Sequence, residues 1–178
     1  MPMPSLPEPI AAPPMLFGEI ASSALLPWAW ALERLIAAHD YWVVAVLPDG
    51  RPISRPLWAV WLHDGLWFTT GSRMIRGLRT NPQVSVNLED GREVVILEGR
   101  AEPVGTLADL NRFVLAYNAK YEHSARIDAD GTVADADGPI GPAYRVRPRV
   151  VFGWQTGMRD PTRWTFADAQ SGPTVGPV

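Results

Sequence analysis

The chain of 178 residues has no cysteine. This excludes a disulfide framework, thiolate zinc sites, iron–sulfur clusters and a thiol nucleophile. Lysine is nearly absent too: of sixteen basic residues only Lys120 is Lys. Any phosphate the chain binds therefore falls to guanidinium groups, backbone N–H groups and hydroxyls. No apolar run approaches the roughly 18 residues needed to cross a bilayer, so no membrane partner is expected. The N-terminal stretch lacks a basic region and is broken by Pro, which reads against a secretory signal and for a cytoplasmic protein. Charge of one sign is also lacking. A net charge of −3 argues against nucleic acid as a partner. His39, His63 and His123 stand too far apart for a metal pair or a nucleophilic triad.

What is present suits one globular domain: 47% hydrophobic residues, eight Trp and eighteen Pro. Residues 1–22 read as a flexible Pro-rich arm, 23–170 as a single domain and 171–178 as a frayed tail. A helix is predicted over Ser23–His39, with Pro27 in its first turn and Trp28, Leu32, Leu35 and Ile36 on one face. Strands follow at Tyr41–Leu47, Ile53–Leu62, Leu66–Thr70, Val84–Leu88 and Glu93–Val104. They are separated by turns at Asp49-Gly50, Asp64-Gly65 and Asp90-Gly91 and by a short helix over Ser72–Arg79. Hairpins this closely spaced make an antiparallel meander, and its size suggests a small barrel. Thr106 caps a helix to Tyr121 whose apolar face carries Leu107, Leu110, Phe113, Val114 and Tyr117. A polar Asp-rich loop over 122–142 precedes a long strand, Ala143–Trp154, and a short one, Arg163–Phe166.

The strongest chemical signal is Thr69-Thr70-Gly71-Ser72-Arg73-Met74-Ile75-Arg76. A strand ends, Gly permits a tight turn, Ser72 is placed to cap, and a helix opens with Arg in its first turn. Free N–H groups, hydroxyls and guanidinium forks together favour an anion. Arg55 on the neighbouring strand is placed to reach the same anion. Trp58 and Trp61 read either as walls for a planar ligand or as core. Asp128, Asp130, Asp135 and Asp137 lack the third ligand and closing Glu of a calcium loop and read as a solvated loop, so no metal is expected. Arg145, Arg147 and Arg149 form one charged strand face without interleaved aromatics.

In order, the segments Tyr41-Trp-Val-Val-Ala-Val, Arg55-Pro-Leu-Trp58, Leu66-Trp-Phe-Thr-Thr-Gly-Ser72-Arg73, Leu78-Arg-Thr-Asn81-Pro82 and Val94-Val-Ile-Leu-Glu98-Gly99 resemble the pyridoxamine 5′-phosphate oxidase-like flavin and deazaflavin oxidoreductases. The resemblance implies a mainly β fold with flanking helices, a six-stranded antiparallel split β-barrel of the FMN-binding type. It implies a homodimer that binds FMN, or a deazaflavin coenzyme in some subfamilies, at the subunit interface and moves hydride to or from a small planar substrate. A non-catalytic flavin- or haem-type binding protein on the same fold is the other expectation. Carried over by position, Arg55, Ser72, Arg73 and Arg76 would hold the phosphate. Leu57, Thr69 and Thr70 would contact the cofactor, Trp58 and Trp154 would wall its ring, and Arg163 would lie on the substrate side. No catalytic acid or base is assigned. The chain departs from the family at Met74, where Lys is common, at Gly77, where Asn is usual, and at Val60, where true pyridoxamine phosphate oxidases carry a second basic residue. The Arg145–Arg149 row would suit the anionic tail of a deazaflavin.

Overall fold

Valine, isoleucine and aromatic residues alternate with polar ones along most of the central chain, and the elements follow that pattern. The computed structural model describes residues 6–14 and 24–167. In chain order these hold β1 (Ile10–Ala12), α1 (Trp28–Ala37), β2 (Asp40–Val46), β3 (Pro52–Leu62), β4 (Gly65–Thr69), α2 (Met74–Thr80), β5 (Gln83–Asn87) and β6 (Val94–Pro103). After them come α3 (Leu107–Tyr121), β7 (Arg126–Ile127), β8 (Val133–Asp135), β9 (Gly138–Gly141), β10 (Ala143–Gln155) and β11 (Arg159–Thr165). Every pairing is antiparallel, and the order β10-β4-β3-β2-β5-β6 returns to β10, which closes a six-stranded barrel. The expected mainly β barrel with flanking helices is what forms.

β10 makes the closure possible by its length. Its first residues lie between β4 and β6, and beyond Val150 it exchanges β4 for β11. Side chains that alternate inward, Tyr41, Val43, Ala45, Ile53, Ala59, Leu66, Phe68, Val86, Leu97 and Val151, form the barrel core with Met74 and Leu78 of α2 and Leu35 of α1. A second cluster joins Val60 and Trp67 on the outer face of β3 and β4 to Leu110, Phe113, Val114 and Tyr117 of α3. Thr106 caps α3 as expected, accepting the Asp109 N–H.

Several expectations need correction. Helix α1 begins at Trp28 with Pro27 as its cap, because Pro27 is extended at ψ 149°; Ser23 lies outside the described residues. Part of the expected arm is a strand: Ile10–Ala12 pairs with β11, whose outer edge would otherwise be open. The 122–142 stretch is not a loop throughout. β7, β8 and β9 form a small meander whose Val133 and Ala134 are buried, with Val133 packed in the α3 cluster. Among the described residues no helix is long and apolar enough to cross a membrane.

Candidate functional site

β3 is eleven residues long, and β4 covers only Ala59–Leu62 of it. Its first half, Pro52–Trp58, pairs with β2 on one side and leaves the other edge open. Continuing the β3–β4 register past its last pair leads Trp58 toward Thr69, Leu57 toward Thr70 and Arg55 toward Ser72. The result is a notch between the open edge of β3 and the turn that joins β4 to α2. Arg55 sits opposite Val43, whose side chain enters the core on the face where α2 packs. Arg55 and the arginines of α2 therefore share one end and one face of the barrel.

Arginines without an ion pair gather at this end of the barrel, although Arg92, Arg100 and Arg163, exposed elsewhere, also lack one among the described residues. Arg34, Arg51, Arg112, Arg126, Arg145, Arg147, Arg149 and Arg159 all stand in ion pairs. Arg55, Arg73, Arg76 and Arg79 stand in none among the described residues, and all four are exposed. Among the described residues Arg55 donates only to the Ser54 carbonyl, at 2.8 Å. The Thr70 and Ser72 hydroxyls lie 2.9 Å apart at the turn. Such a set of uncommitted guanidinium groups beside two hydroxyls fits a dianionic phosphate.

The predicted site residues divide. Arg55 on the open edge of β3 and Thr70, Ser72, Arg73 and Arg76 around the β4–α2 turn lie at one end of the barrel by register, with Thr70 itself buried. Thr69 is committed elsewhere, because its hydroxyl donates to the Gly141 carbonyl at 2.9 Å and ties β4 to the end of β9. The Leu57 side chain packs against the core. Trp58 points to the face opposite Arg55, where it stacks on Tyr121 at 4.6 Å and 4°. Trp154 pairs with Val94, and Arg163 with Phe152, on strands away from the notch, so one chain does not bring them to it. Helix α2 is assigned from Met74, after Arg73, which is already helical at φ −55° and makes no capping bond; the Ser72 hydroxyl accepts the Met74 N–H at 3.3 Å and caps as expected. With only seven residues α2 contributes little dipole, so the side chains carry the attraction.

The departures from the family have physical causes. Met74 is fully buried in the core, where an ammonium group would be desolvated. Gly77 lets α2 approach β2, for a Cβ there would stand 2.5 Å from the Val46 carbonyl oxygen. Val60 is 3% exposed beneath α3. The Arg145–Arg149 row is not a free basic stripe: Arg145 and Arg147 bind the buried Asp64, Arg145 also binds Glu102, and Arg149 binds Glu98.

An aromatic group on α3 was not foreseen as part of any site. Tyr121 hydrogen bonds the Ala59 N–H at 2.9 Å and the His39 carbonyl at 2.7 Å. The His39 and His123 rings stand nearly perpendicular to Trp58, each 5.8 Å away. Burial pushes the Tyr117 phenol up to about 12 and raises the Tyr121 phenol as well. The spacing of Tyr117 and Tyr121 was visible as a helix face, but its partner Trp58 lies some sixty residues earlier. Asp130 and Asp135 accept the Thr132 and Asp137 N–H groups within turns, and among the described residues no three His, Asp or Glu groups are placed to hold a metal.

Comparison with known proteins agrees with the barrel. A Bacteroides thetaiotaomicron protein named for 5-nitroimidazole antibiotic resistance superposes with a TM-score of 0.58 at 11% identity, over 90% of this chain and 92% of that one. A Clostridium acetobutylicum protein related to general stress protein 26, of the pyridoxinephosphate oxidase family, gives 0.55 at 14% identity over 80% and 98%. The Vibrio cholerae haem storage protein HutZ gives 0.51 at 16% identity over 74% and 93%. At these identities the likeness is one of fold. No curated protein sequence matches the chain. The model of the family described as pyridoxamine 5′-phosphate oxidase matches residues 31–155. That span runs from α1 to the end of β10 and holds every strand of the closed barrel, so the chain belongs to the pyridoxamine 5′-phosphate oxidase family.

Proposed function

We propose that the chain is an FMN-dependent oxidoreductase that moves hydride to or from a small planar substrate, with the FMN phosphate seated in the notch beside β3. The observation that carries this reading is the group of unpaired arginines, Arg55, Arg73 and Arg76, around the Thr70–Ser72 hydroxyls, on a protein that neutralises most of its other arginines. Arg55 and Arg73 would clamp the phosphate from two elements, Arg76 would stand in for the family's lysine, and the Ser72 hydroxyl, with Thr70 donating to it, would donate to a phosphate oxygen. Bound FMN would supply the hydride chemistry, while the chain orients the ring and excludes water.

The reading includes a homodimer. A registered row of Pro56, Trp42, Asn87, Ile96, Phe152 and Arg163 runs across five strand pairings on the outside of the barrel. Trp42, second in this row, is 41% exposed, which suits an interface contact. Pairing of two copies through this face would let one copy's Trp154 and Arg163 approach the other's notch. A deazaflavin tail finds less support, because the Arg145–Arg149 row is neutralised by Asp64, Glu102 and Glu98.

The test is titration of the purified protein with FMN, read by flavin fluorescence and absorbance. Combined Arg55→Ala and Arg73→Ala replacement should weaken binding by several kcal/mol, about 1.5–3 kcal/mol per charged hydrogen bond. Unchanged affinity in the double variant, or a haem or deazaflavin spectrum in the protein as isolated, refutes the assignment.

A further inference from the structure

A second concavity of about 600 Å³ lies between the end of α1 and α3, above β3. Its walls are mostly apolar, with Ile36, Val60, Trp61, Ala116 and Ala119. Lys120, the only lysine of the chain, lines it as well.

The Lys120 Nζ has three acceptors at graded distances: the Tyr41 hydroxyl at 2.8 Å, the Ala59 carbonyl at 3.1 Å and the Ile36 carbonyl at 3.2 Å. The Tyr41 hydroxyl donates its own proton to the Leu35 carbonyl at 2.6 Å, so toward Lys120 it can only accept. No carboxylate lies within ion-pairing distance of the amine among the described residues. The titratable groups around it are Tyr41 and Asp40 from β2, Tyr121 from its own helix and His39 from the α1–β2 link. Asp40 is bonded to His39 at 2.8 Å instead. The two tyrosine rings lie 4.8 and 5.4 Å from the Nζ. Burial lowers the Lys120 ammonium from 10.5 to about 8, with the Asp40 charge opposing that shift.

A neutral amine keeps two donors. The proton given up most readily is the one directed at the Ile36 carbonyl, the longest and most exposed of the three bonds. Tyr41 and Ala59 stay satisfied in the neutral amine, and rotation of the amine moves the lone pair off the Ile36 carbonyl oxygen, 3.2 Å away, toward the concavity that Lys120 lines. We propose that this concavity is a carbonyl-binding site in which Lys120 condenses with an aldehyde that carries an apolar body. The lone pair of Nζ forms the C–N bond while the carbonyl π pair moves to oxygen. Both amine protons pass to that oxygen, the C–O bond breaks to release water, and the remaining nitrogen pair closes the C=N bond of an imine. No oxidant or reductant is required. The aldehyde's apolar body would rest on Ile36, Val60, Ala116 and Ala119. The site is separate from the phosphate notch and does not depend on a bound flavin.

Reductive trapping tests it on the full chain. The protein is incubated at pH 7.5 with hexanal and cyanoborohydride, and with glyoxylate as a small charged aldehyde. Adducts are located by mass after cleavage at Arg, with N-acetyl-lysine amide as the reference amine. An amine at about 8 holds over a hundredfold more neutral form at this pH than an ordinary lysine. Allowing for lower basicity and restricted access, Lys120 should react with hexanal at least about tenfold faster than the reference. Its rate should rise with a midpoint near pH 8. Hexanal should be preferred over glyoxylate at Lys120 but not at the α-amine. Lys120→Arg, which keeps charge and donors, should lose only this adduct. A Lys120 rate equal to the reference, labelling confined to the α-amine, or no preference for hexanal overturns the proposal, and the wild-type rates decide it even if the variant folds poorly.

Discussion

The approach of α2 to the barrel sets up a test in which two general rules predict opposite signs. In an exposed helix interior, Gly→Ala stabilises by roughly 1 kcal/mol, because Gly loses more backbone entropy on folding. At Gly77 the added methyl carbon would stand 2.5 Å from the Val46 carbonyl oxygen and 3.2 Å from its carbon. Both are backbone atoms of the last residue of β2, which pairs with Pro52 of β3 and continues a strand held by β5 up to Val44, so they resist displacement. The helix must instead lift by on the order of 1 Å, and Met74 and Leu78, which it buries in the core, lift with it. Overpacking of this kind costs about 1–3 kcal/mol, and the rigid neighbours place it at the upper end. After the propensity gain, Gly77→Ala should destabilise by about 2 kcal/mol. In a domain of this size that lowers Tm by roughly 4–8 °C. Gly105, whose Cβ would meet open space, provides the control: Gly105→Ala should stay within about 0.5 kcal/mol of the parent. Both variants are measured by urea and thermal unfolding followed by far-UV circular dichroism. A Gly77→Ala protein as stable as the parent or more so refutes the close-contact argument.

Asp64→Asn should destabilise by about 1–3 kcal/mol in the same assays, since it removes a buried carboxylate shared by Arg145 and Arg147 while leaving an acceptor for the Trp67 indole. An unchanged unfolding midpoint would show that these arginines are served by Glu102 and solvent alone. Lys120 gives a pH dependence with a definite sign. Its folded value of about 8 lies below the ordinary 10.5, so between those pH values the unfolded chain retains a proton that the folded chain has shed. The Lys120 contribution to stability therefore rises with pH across that window, and Lys120→Met should abolish the rise in a urea titration series. Trp42→Glu, on the outer registered row, should convert a dimer to monomers in sedimentation velocity. An unaffected dimer would place the interface elsewhere.

The barrel strands were legible because each carries its own local signal: alternation for the face, Asp-Gly for the hairpin. Boundaries moved by only a residue or two, as at β5, predicted from Val84 and found from Gln83. The β7–β9 meander was not legible. Its strands span two to four residues in an Asp- and Gly-rich stretch, too short for periodicity, and Val133 is buried only because α3 lies over it. The site was read in part for the same reason. Ser72, Arg73 and Arg76 form one continuous motif, so sequence could group them. Whether an arginine is free depends on partners far along the chain, and the Asp64 that binds Arg145 is 81 residues away. Opposite faces of β3 likewise separate Arg55 from Trp58, although the two are three residues apart.

The departures from the family pattern act together rather than singly. Met74 and Val60 stand where the resemblance leads one to expect a lysine and, in true pyridoxamine phosphate oxidases, a second basic residue; each is buried by a different layer, Met74 in the barrel core and Val60 beneath α3. A lysine at either place would need a partner that the surrounding apolar side chains do not provide, so the apolar residue follows from how tightly the helices pack. Gly77 belongs to the same arrangement, because α2 reaches its position only without a side chain at that point. Tight packing of α2 thus leaves no room for a charged side chain at position 74 and carries Arg73 and Arg76 on a helix packed against β2. If the proposed phosphate binds there, fewer cations would hold it, but in fixed placement. Guanidinium groups suit such a site, since a fork held at one angle can bind two phosphate oxygens where an ammonium group on a flexible stem binds as a point.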